Sequence, residues 1–229
     1  MGHAIILGCS HAAGAEMHTD PGLTVKHPVS FGFLNSFPVL IAKQLGYTPQ
    51  NYAISGGSND AIFRIFTEQL SRLTVDDIVI ACWTGADRTE IWHELDQQWL
   101  PISHGQQCFY ITRASEYALS GQNYPKMISC HEEYQTYLQQ WSKYHVSFQS
   151  NKLNKLKNII ALNQMAKEKS IKVINIDSFY PVEANVPWAV QETFCGWADR
   201  HGCAKTAWGH YFLDTHQKFA DHVLANCEL

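Results

Sequence analysis

The chain has two uninterrupted apolar runs, at 4–9 and 78–83, and two short mixed segments, at 47–54 and 171–176. They alternate with longer stretches in which apolar side chains recur every three or four positions. An uninterrupted apolar run of this length is typical of a strand that is buried on both faces of a parallel sheet. The spacing of three or four is typical of a helix that buries one face. These four segments predict strands at 4–9, 47–54, 78–83 and 171–176.

The helical stretches are bounded by residues that begin or end helices. Ser58 or Asn59 suits the N-terminal cap of a helix that runs to about Leu70, and Asp214 suits the cap of the last helix. Gly46 suits a left-handed helix end, while Pro38 predicts a helix start or a kink. The other helices are predicted over about 32–45, 87–95, 131–146, 150–168 and 214–226. The buried stripe predicted for 150–168 is Leu153, Leu156, Ile159, Ile160 and Leu162.

Three stretches lack a clear period. Residues 11–30 are rich in Gly, His, Pro and Thr, residues 97–129 contain two prolines and two glycines, and 178–209 are aromatic and irregular. A long irregular segment inside a compact domain is usually functional. We therefore predict one domain over 1–229 with an insert at about 97–129 that covers or borders a site.

The alternation of strands and helices predicts a three-layer α/β/α sandwich with a flavodoxin-like parallel sheet of four to five strands. Ligands of such sheets bind beyond the carboxyl ends of the strands, where the strand order reverses. Ser10, Gly56 and the segment 84–86 all follow the carboxyl ends of predicted strands. This shared position predicts a site at that edge.

Composition narrows the class of protein. The chain has 229 residues, of which 45% are hydrophobic, so it can bury a sizeable core. A net charge of −4 gives no basic surface for nucleic acid, and no apolar run reaches the roughly 18 residues of a membrane span. Seven cysteines without a CxxC pair, and no signal-peptide pattern, favour free thiols and a cytoplasmic protein. Cys9 and Cys82 are expected in the core.

Ser10 is the candidate nucleophile, because it follows the first strand directly. A serine hydroxyl needs a general base and fixed donors for the oxyanion that it creates. Among the twelve histidines, His210 lies in the loop before the last helix, where it can lean over the sheet edge. His216 lies in the first turn of that helix.

At these positions the chain resembles the SGNH (GDSL-like) hydrolases. Their Gly-Asp-Ser-x-x-x-Gly block matches Gly8–Gly14 with Cys9 in place of the aspartate, and the block with an Asn five residues before a glycine matches Asn51–Gly56. In the last block His210 takes the place of the catalytic histidine and His216 that of a second, structural one. More narrowly, 8–17, 55–64, 83–92 and 194–220 look like uncharacterised SGNH-like proteins of tailed phages.

The resemblance implies Ser10 as the nucleophile, His210 as the base, and the backbone N–H groups of Ser10 and Gly56 as oxyanion donors. Two polar positions of the family's pattern are alanines here, since the oxyanion-hole Asn falls on Ala86 and the acid of Asp-x-x-His on Ala207. Asn59 or Arg88 is expected to replace the Asn, although Asn59 also suits a helix cap and Arg88 an ion pair with a nearby acid. The acid is either absent or supplied by Asp199 or Asp214.

The sequence therefore predicts an esterase-type serine hydrolase that acts without a cofactor or metal on a small-molecule or glycan ester, for example an O-acetyl sugar. Tryptophan side chains are expected mostly in the core, with some lining a groove for a sugar ring. One alternative is a catalytically impaired SGNH fold that binds carbohydrate or belongs to a virion. The other is a metal-dependent hydrolase whose ligands come from His11, His18, His27, His210 and His216.

Overall fold

The computed structural model describes residues 2–23, 25, 30–93, 98–103, 136, 140, 147–180, 186–187, 189–207 and 209–226. Four of its strands form one sheet: β1 (His3–Gly8), β2 (Thr48–Asn51), β3 (Ile78–Trp83) and β6 (Lys172–Asp177). These are the four strands that the sequence predicts, with the second shorter than predicted.

The sheet is parallel throughout, in the order β2-β1-β3-β6. In-register neighbours show how its two faces are used. Ile6 and Ile80 lie side by side and point to one hydrophobic cluster, whereas Ile5 and Val79, one residue earlier on each strand, point to the other. Both faces are therefore buried, which is why the strands read as continuous apolar runs rather than as alternating ones.

Helices cover both faces, as the α/β prediction requires. On one face lie α3 (Phe37–Gln44), α6 (Phe194–Arg200) and α7 (Leu213–Asn226), which contribute Phe37, Phe194 and Phe219 to the core. On the other lie α4 (Asn59–Gln69) and α5 (Phe148–Glu168), with Ile62 and Ile159 buried against the sheet. The layers are thus α/β/α. Two shorter helices, α1 (Ser10–Ala13) and α2 (Ser30–Asn35), follow β1.

Several helix boundaries agree with the sequence. The predicted helix over 32–45 is broken at Ser36, and Pro38 lies in the first turn of α3. After α3 the chain turns at Gly46, which has a φ of 82°. The Ser58 hydroxyl accepts the N–H of Ala61 at 3.1 Å and so caps α4.

The N-cap predicted at Asp214 is wrong. Asp214 lies inside the first turn of α7, where its carboxylate contacts Thr215 and Lys218. A carboxylate from the other end of the chain serves the helix start instead, because Asp20 accepts the N–H of Leu213 at 3.2 Å. A long-range contact of this kind leaves no trace in the local sequence around 214.

The helix predicted over 87–95 is also wrong. Residues Arg88–His93 form strand β4, which pairs antiparallel with β5 (Gln98–Ser103). Trp92 and Trp99 face each other in register with their ring centroids 5.5 Å apart. Such an aromatic cross-strand pair stabilises a hairpin. The irregular segment predicted at 97–129 accordingly begins with a strand.

The buried stripe of α5 differs from the predicted one. Ile159 and Leu162 are buried, but Leu153 and Ile160 are more than half exposed. The face that packs against the sheet includes the side chain of Lys155. The prediction failed because it placed only apolar residues inside.

Some predictions fall where little or nothing is described. The helix at 131–146 and the insert beyond residue 103 lie almost entirely outside the described residues. No helix or strand is predicted over 178–209, but the structure has α6 within this stretch. Cys9 and Cys82 are buried, as expected, and they are free thiols. Across the described ranges, no helix combines the length and the apolarity that crossing a membrane demands.

Candidate active site

Ser10 lies at the carboxyl end of β1, a strand with neighbours on both sides. It is the first residue of α1 and is buried. The helix starts so close to the strand that a side chain at Gly8 would not fit, since a Cβ there would be 2.5 Å from the Cβ of Ala12. Because β2 lies on one side of β1 and β3 on the other, Ser10 is at the point where the strand order reverses.

The segment after β2 reaches the same edge. The N–H of Ile54 donates to the carbonyl of Gly8 at 2.9 Å, and the turn that follows contains Gly56 with a φ of 73°. Only glycine adopts this conformation without strain. Gly56 therefore lies beside the strand end that carries Ser10.

Asn51, at the end of β2, holds the first turn of α1 in place. Its amide nitrogen donates to the carbonyls of Ala12 and Phe33 at 3.1 Å each, and its amide oxygen accepts the N–H of Ala53 at 3.0 Å. One side chain thus joins β2, α1 and α2. This is the asparagine that the resemblance to the SGNH hydrolases picks out, and its contacts support the helix that begins with Ser10.

His210 comes to this edge from the C-terminal part of the chain. Its ring centroid is 5.1 Å from that of His11, the residue after Ser10. The side chain is 18% exposed, so the ring borders solvent. Among the described residues the ring bonds through Nδ1, which lies 2.9 Å from Oε2 of Glu16.

Glu16, the carboxylate that contacts His210, is a residue that sequence reasoning missed. It belongs to the segment after α1 and is buried, and Thr206 donates to the same carboxylate oxygen at 2.6 Å. Its backbone is left-handed, with a φ of 64°. Nothing near Glu16 in the sequence signals this contact, because its histidine partner is 194 positions away.

His216 is buried and accepts the backbone N–H of Phe37 on Nδ1 at 3.1 Å. Burial lowers its pKa to about 3, with a further lowering by His210. The ring is therefore neutral at ordinary pH, and its contacts join α7 to α3. His210 is the histidine of the two whose ring packs against that of His11, the residue after Ser10.

The two candidates for the missing oxyanion donor differ in their contacts. The amide nitrogen of Asn59 donates to the carbonyls of Thr84 and Gly85 at 3.2 Å each, and its oxygen accepts the N–H of Thr84. Asn59 thus joins α4 to the segment after β3 and has no amide hydrogen left. Nη1 of Arg88 is buried and has no hydrogen-bond partner among the described residues.

Arg88 lies close to the same edge of the sheet. Its guanidinium carbon is 5.6 Å from the ring centroid of Phe179, and that ring is 5.2 Å from His11. The acids expected to pair with Arg88 are Asp87, Glu90 and Glu94. Glu90 bonds to Arg64 instead, and Glu94 lies outside the described residues. Within the described part of the chain, Arg88 is thus a cation near the site with an unpaired hydrogen-bond donor.

The two acids proposed for the triad have other partners. Asp199 accepts the hydroxyl of Tyr211 at 2.7 Å and lies 2.8 Å from Nζ of Lys205. The contact with Lys205 is the main reason that the pKa of Asp199 is lowered. Asp214 pairs with Lys218 on the surface of α7. The described contacts therefore connect neither acid to His210.

His11 is a second buried histidine at the site. Burial is the main cause that lowers its pKa, and the charges of His210 and His216 add to the effect. Its Nε2 is 3.5 Å from Sγ of Cys195, while its Nδ1 is buried and finds no partner in the described part of the chain. Burial also raises the pKa of the Cys195 thiol to about 12, so this cysteine is not a thiolate nucleophile.

A cavity of about 280 Å³ opens next to Ala86, on the α5 side of the sheet. Its lining is mostly apolar, with Phe148, Leu156, Ile159 and Tyr180, and also includes Lys152 and Lys155. The cavity places room for an apolar group beside the position where the family's pattern has its asparagine.

A metal centre finds little support in these contacts. Within the described ranges, no three histidine, cysteine, aspartate or glutamate side chains converge on a common point. Of the five histidines named for such a centre, His27 lies outside those ranges.

No protein-family model matches the chain, and no curated protein matches it. Among solved structures, the crystal structure of TesA aligns with a TM-score of 0.45 at 13% identity, over 97% of this chain and 96% of TesA. A GDSL-like lipase from Bacteroides thetaiotaomicron aligns with a TM-score of 0.31 at 16% identity, over 97% of this chain and 60% of the lipase. A family two carbohydrate esterase from Cellvibrio japonicus aligns with a TM-score of 0.39 at 10% identity, over 98% of this chain and 60% of the esterase.

This chain thus spans about 60% of the length of two of these three structures. With identities of 16% or less and TM-scores below 0.5, the similarities do not determine what the site does. Its chemistry has to come from the residues themselves.

Proposed function

We propose that the protein is an esterase-type serine hydrolase with Ser10 as its nucleophile and His210 as its general base. One observation carries the proposal: the ring of His210 packs 5.1 Å from that of His11, the residue after Ser10, at the point where the strand order reverses. Histidine is the usual general base for a serine hydroxyl. The metal-dependent alternative has no comparable grouping among the described side chains.

The reaction has two halves. In the first, the Ser10 hydroxyl loses its proton to His210 Nε2 while Oγ forms a bond to the ester carbonyl carbon. The tetrahedral oxyanion collapses, the bond to the leaving oxygen breaks, and His210 gives that oxygen the proton, so the alcohol departs. In the second half, water attacks the acyl-Ser10 carbon and loses its proton to His210. The acid leaves, and Oγ takes the proton back.

The oxyanion needs donors that are fixed in advance. The backbone N–H groups of Ser10 and Gly56 are two of them in this proposal, since both lie where Ile54 bonds to Gly8. Arg88 supplies a third in place of the asparagine that Ala86 replaces, because its Nη1 is buried and unpaired. The loss of one such donor typically lowers kcat by about 10²–10³-fold.

The substrate class is a small-molecule or glycan ester. Trp92 and Trp99, a pair of partly exposed rings on the hairpin of β4 and β5, offer an aromatic surface to the apolar face of a sugar. The cavity beside Ala86 gives room for an acyl group.

A binding protein without catalysis is the second candidate, and Ala207 favours it. In the family's pattern the triad acid stands at this position, and here it is an exposed alanine. Such a protein would bind a glycan through the same edge and would leave Ser10 unreactive.

The decisive experiment is labelling with a fluorophosphonate probe, together with turnover of p-nitrophenyl acetate. We expect the wild type to be labelled once and to hydrolyse the ester, and Ser10→Ala to lose both signals. His210→Ala should lower turnover by about 10²–10⁴-fold. Ser178→Ala is the matched control, because Ser178 is a buried serine just after β6 at the same edge, and it should react like the wild type.

Two results would count against the hydrolase. If the probe does not label the wild type, or labels Ser10→Ala as fast as the wild type, Ser10 is not the nucleophile. Glycan binding that persists in Ser10→Ala, with no ester turnover by the wild type, would favour the binding protein.

A further inference from the structure

We propose that Glu16 is the carboxylate that positions His210, and that it replaces the acid that is absent at Ala207. The inference rests on the proposed function of Ser10 and His210. Oε2 of Glu16 lies 2.9 Å from Nδ1 of His210, and both side chains are largely buried. An ionised carboxylate only accepts hydrogen bonds, so Nδ1 must be the nitrogen that carries the proton. The lone pair of neutral His210 is then on Nε2, the nitrogen that the base needs.

Thr206 fixes this arrangement from two sides. Its hydroxyl donates to the same Glu16 oxygen at 2.6 Å and accepts the backbone N–H of His210 at 3.1 Å. The N–H of Thr206 donates to the carbonyl of His210 at 2.7 Å. The carboxylate and the histidine that it orients are therefore held by one common residue, which lowers the freedom of both.

The backbone of Glu16 is held in a strained, left-handed conformation. A left-handed φ is unfavourable for a residue other than glycine, and Glu16 has a φ of 64°. Its carbonyl accepts both the N–H and the hydroxyl of Thr19, at 2.9 and 2.7 Å. Strain that the surroundings maintain is typical of functional sites.

Two glycines make the approach of this segment possible. Gly14, with a φ of 67°, ends α1, and a Cβ on it would lie 2.1 Å from the carbonyl oxygen of Gly32 in α2. The two backbones thus touch, and the chain reverses tightly enough to bring Glu16 beneath the loop that carries His210. A larger residue at either glycine would push the segment away.

The role of Glu16 is to position and to stabilise, without touching the substrate. It keeps the His210 ring in one orientation and tautomer, and its charge stabilises the imidazolium that forms when Ser10 is deprotonated. Asp199 and Asp214 have other partners, which leaves Glu16 as the carboxylate on this histidine within the described part of the chain.

Nitrogen-15 NMR of histidine-labelled protein tests the contact independently of activity. His210→Gln identifies the signals of His210. At a pH where the ring is neutral, we expect the wild type to carry its proton on Nδ1, and Glu16→Leu, which removes the acceptor, to shift the tautomer towards Nε2–H. An unchanged His210 tautomer in Glu16→Leu would overturn the inference, whatever the enzyme does with esters.

Kinetics tests the consequence. Glu16→Leu should lower kcat on the order of 10³–10⁴-fold, as loss of the orienting carboxylate does in serine proteases, with little change in KM. Glu16→Gln keeps the shape but removes the charge and offers an amide N–H to Nδ1, which favours the wrong tautomer, so it should lose about as much kcat as Glu16→Leu. Glu16→Asp retains the charge and should recover part of kcat.

Asp20→Asn is the matched control. Asp20 belongs to the same segment and also bonds to the C-terminal part of the chain, at the N–H of Leu213, but it does not contact His210. It should leave kcat and the tautomer unchanged. If Asp20→Asn loses as much kcat as Glu16→Leu, the effect comes from loosening the segment and the inference fails. Fluorophosphonate labelling of the wild type reports separately on Ser10, so failure of the proposed function is recognised on its own.

Discussion

The ion pair of Lys155 and Asp177 is the most buried charged contact that the structure describes. Lys155 bonds through Nζ to Oδ2 of Asp177, and neither residue is exposed by more than 7%. The other carboxylate oxygen accepts the N–H groups of Phe179 and Tyr180, at 2.9 and 3.0 Å. Burial raises the pKa of Asp177, while Lys155 acts to lower it. The ammonium is thus the main compensation for a carboxylate that has left water.

Removal of that ammonium should be costly. We expect Lys155→Met to lower the free energy of unfolding by about 3–5 kcal/mol at pH 7, because it leaves an uncompensated buried charge. Lys157→Met, two residues along α5 at an exposed position, is the control and should change it little. Urea unfolding followed by circular dichroism measures both.

The pH dependence of the loss has a definite sign. Without Lys155 the pKa of Asp177 rises further, and a carboxyl group whose pKa is raised on folding stabilises the fold most when it is protonated. The deficit of Lys155→Met should therefore shrink as the pH falls towards the ordinary aspartate pKa of 3.8. A deficit that is the same at pH 7 and pH 4 would mean that lost packing, and not the charge, causes the instability.

The contrast between Ser10 and Glu16 shows what the sequence predicts about single residues. Ser10 is recognisable because its position depends on local order, an apolar strand followed at once by a glycine and a hydroxyl. Glu16 becomes meaningful only through a contact with His210, 194 positions away. A left-handed backbone at a glutamate has no local sequence signal either. For that reason the acids closer to His210 in sequence, Asp199 and Asp214, do not predict which carboxylate contacts it.

At the scale of elements, the N-terminus of α4 combines a helix cap with a contact to the edge of the sheet that carries the site. Ser58 is fully buried and caps the helix, and the next residue, Asn59, joins it to the segment after β3. A helix held at this end keeps the segment 84–86 in place beside Ser10. Loss of the Ser58 cap should therefore lower the free energy of unfolding.

Ser58→Ala should lower the free energy of unfolding by about 1 kcal/mol, within the 0.5–2 kcal/mol typical of lost N-caps. Ser58→Asn, which retains an acceptor, should recover part of it. Ser147→Ala is the comparison, since Ser147 caps α5 with a longer bond of 3.4 Å at an exposed site, and it should cost less. Urea midpoints of the three variants decide the order, and equal losses at the two caps would contradict the assigned role of burial.

Element prediction worked where one physical pattern dominates and failed where two compete. β1 and β3 are apolar and buried on both faces, so their positions follow from the sequence alone. Residues 88–93 also suit a short helix start, and the choice of strand depends on the partner strand with Trp99. In α5 the inward position of Lys155 depends on Asp177, which no pattern within the helix reveals.

At the scale of the molecule, the site joins the two ends of the chain. β1, near the N-terminus, is a central strand, and α7, at the end of the described chain, packs against α3 through His216 and Phe37. His210 lies just before α7, so the contact of His210 with Glu16 forms only when the C-terminal layer has docked. Formation of the site and folding of the domain are therefore coupled.

This coupling predicts a specific sensitivity to acid. His216 is buried and neutral, with a pKa of about 3 against 6.5 for an ordinary histidine. A base whose pKa is lowered on folding stabilises the fold above its unfolded pKa, and this contribution is lost as the pH falls towards the folded pKa. Between about pH 6 and pH 4 the unfolded chain binds a proton at this residue and the folded protein does not. The free energy of unfolding should fall by roughly 1.4 kcal/mol per pH unit for this group alone, and His11, whose pKa burial also lowers, should steepen the fall.

His216→Asn isolates that contribution, because the asparagine oxygen can still accept the N–H of Phe37. Its stability at pH 7 should drop, since a smaller side chain leaves a gap, but its slope between pH 6 and pH 4 should be shallower than that of the wild type by up to about 1.4 kcal/mol per pH unit. Phe219→Leu, a buried change on the same helix without a titratable group, should lower stability equally at each pH and retain the slope. Urea unfolding at a series of pH values measures all three, and parallel curves for His216→Asn and the wild type would show that His216 is not the buried neutral base that joins α7 to the fold.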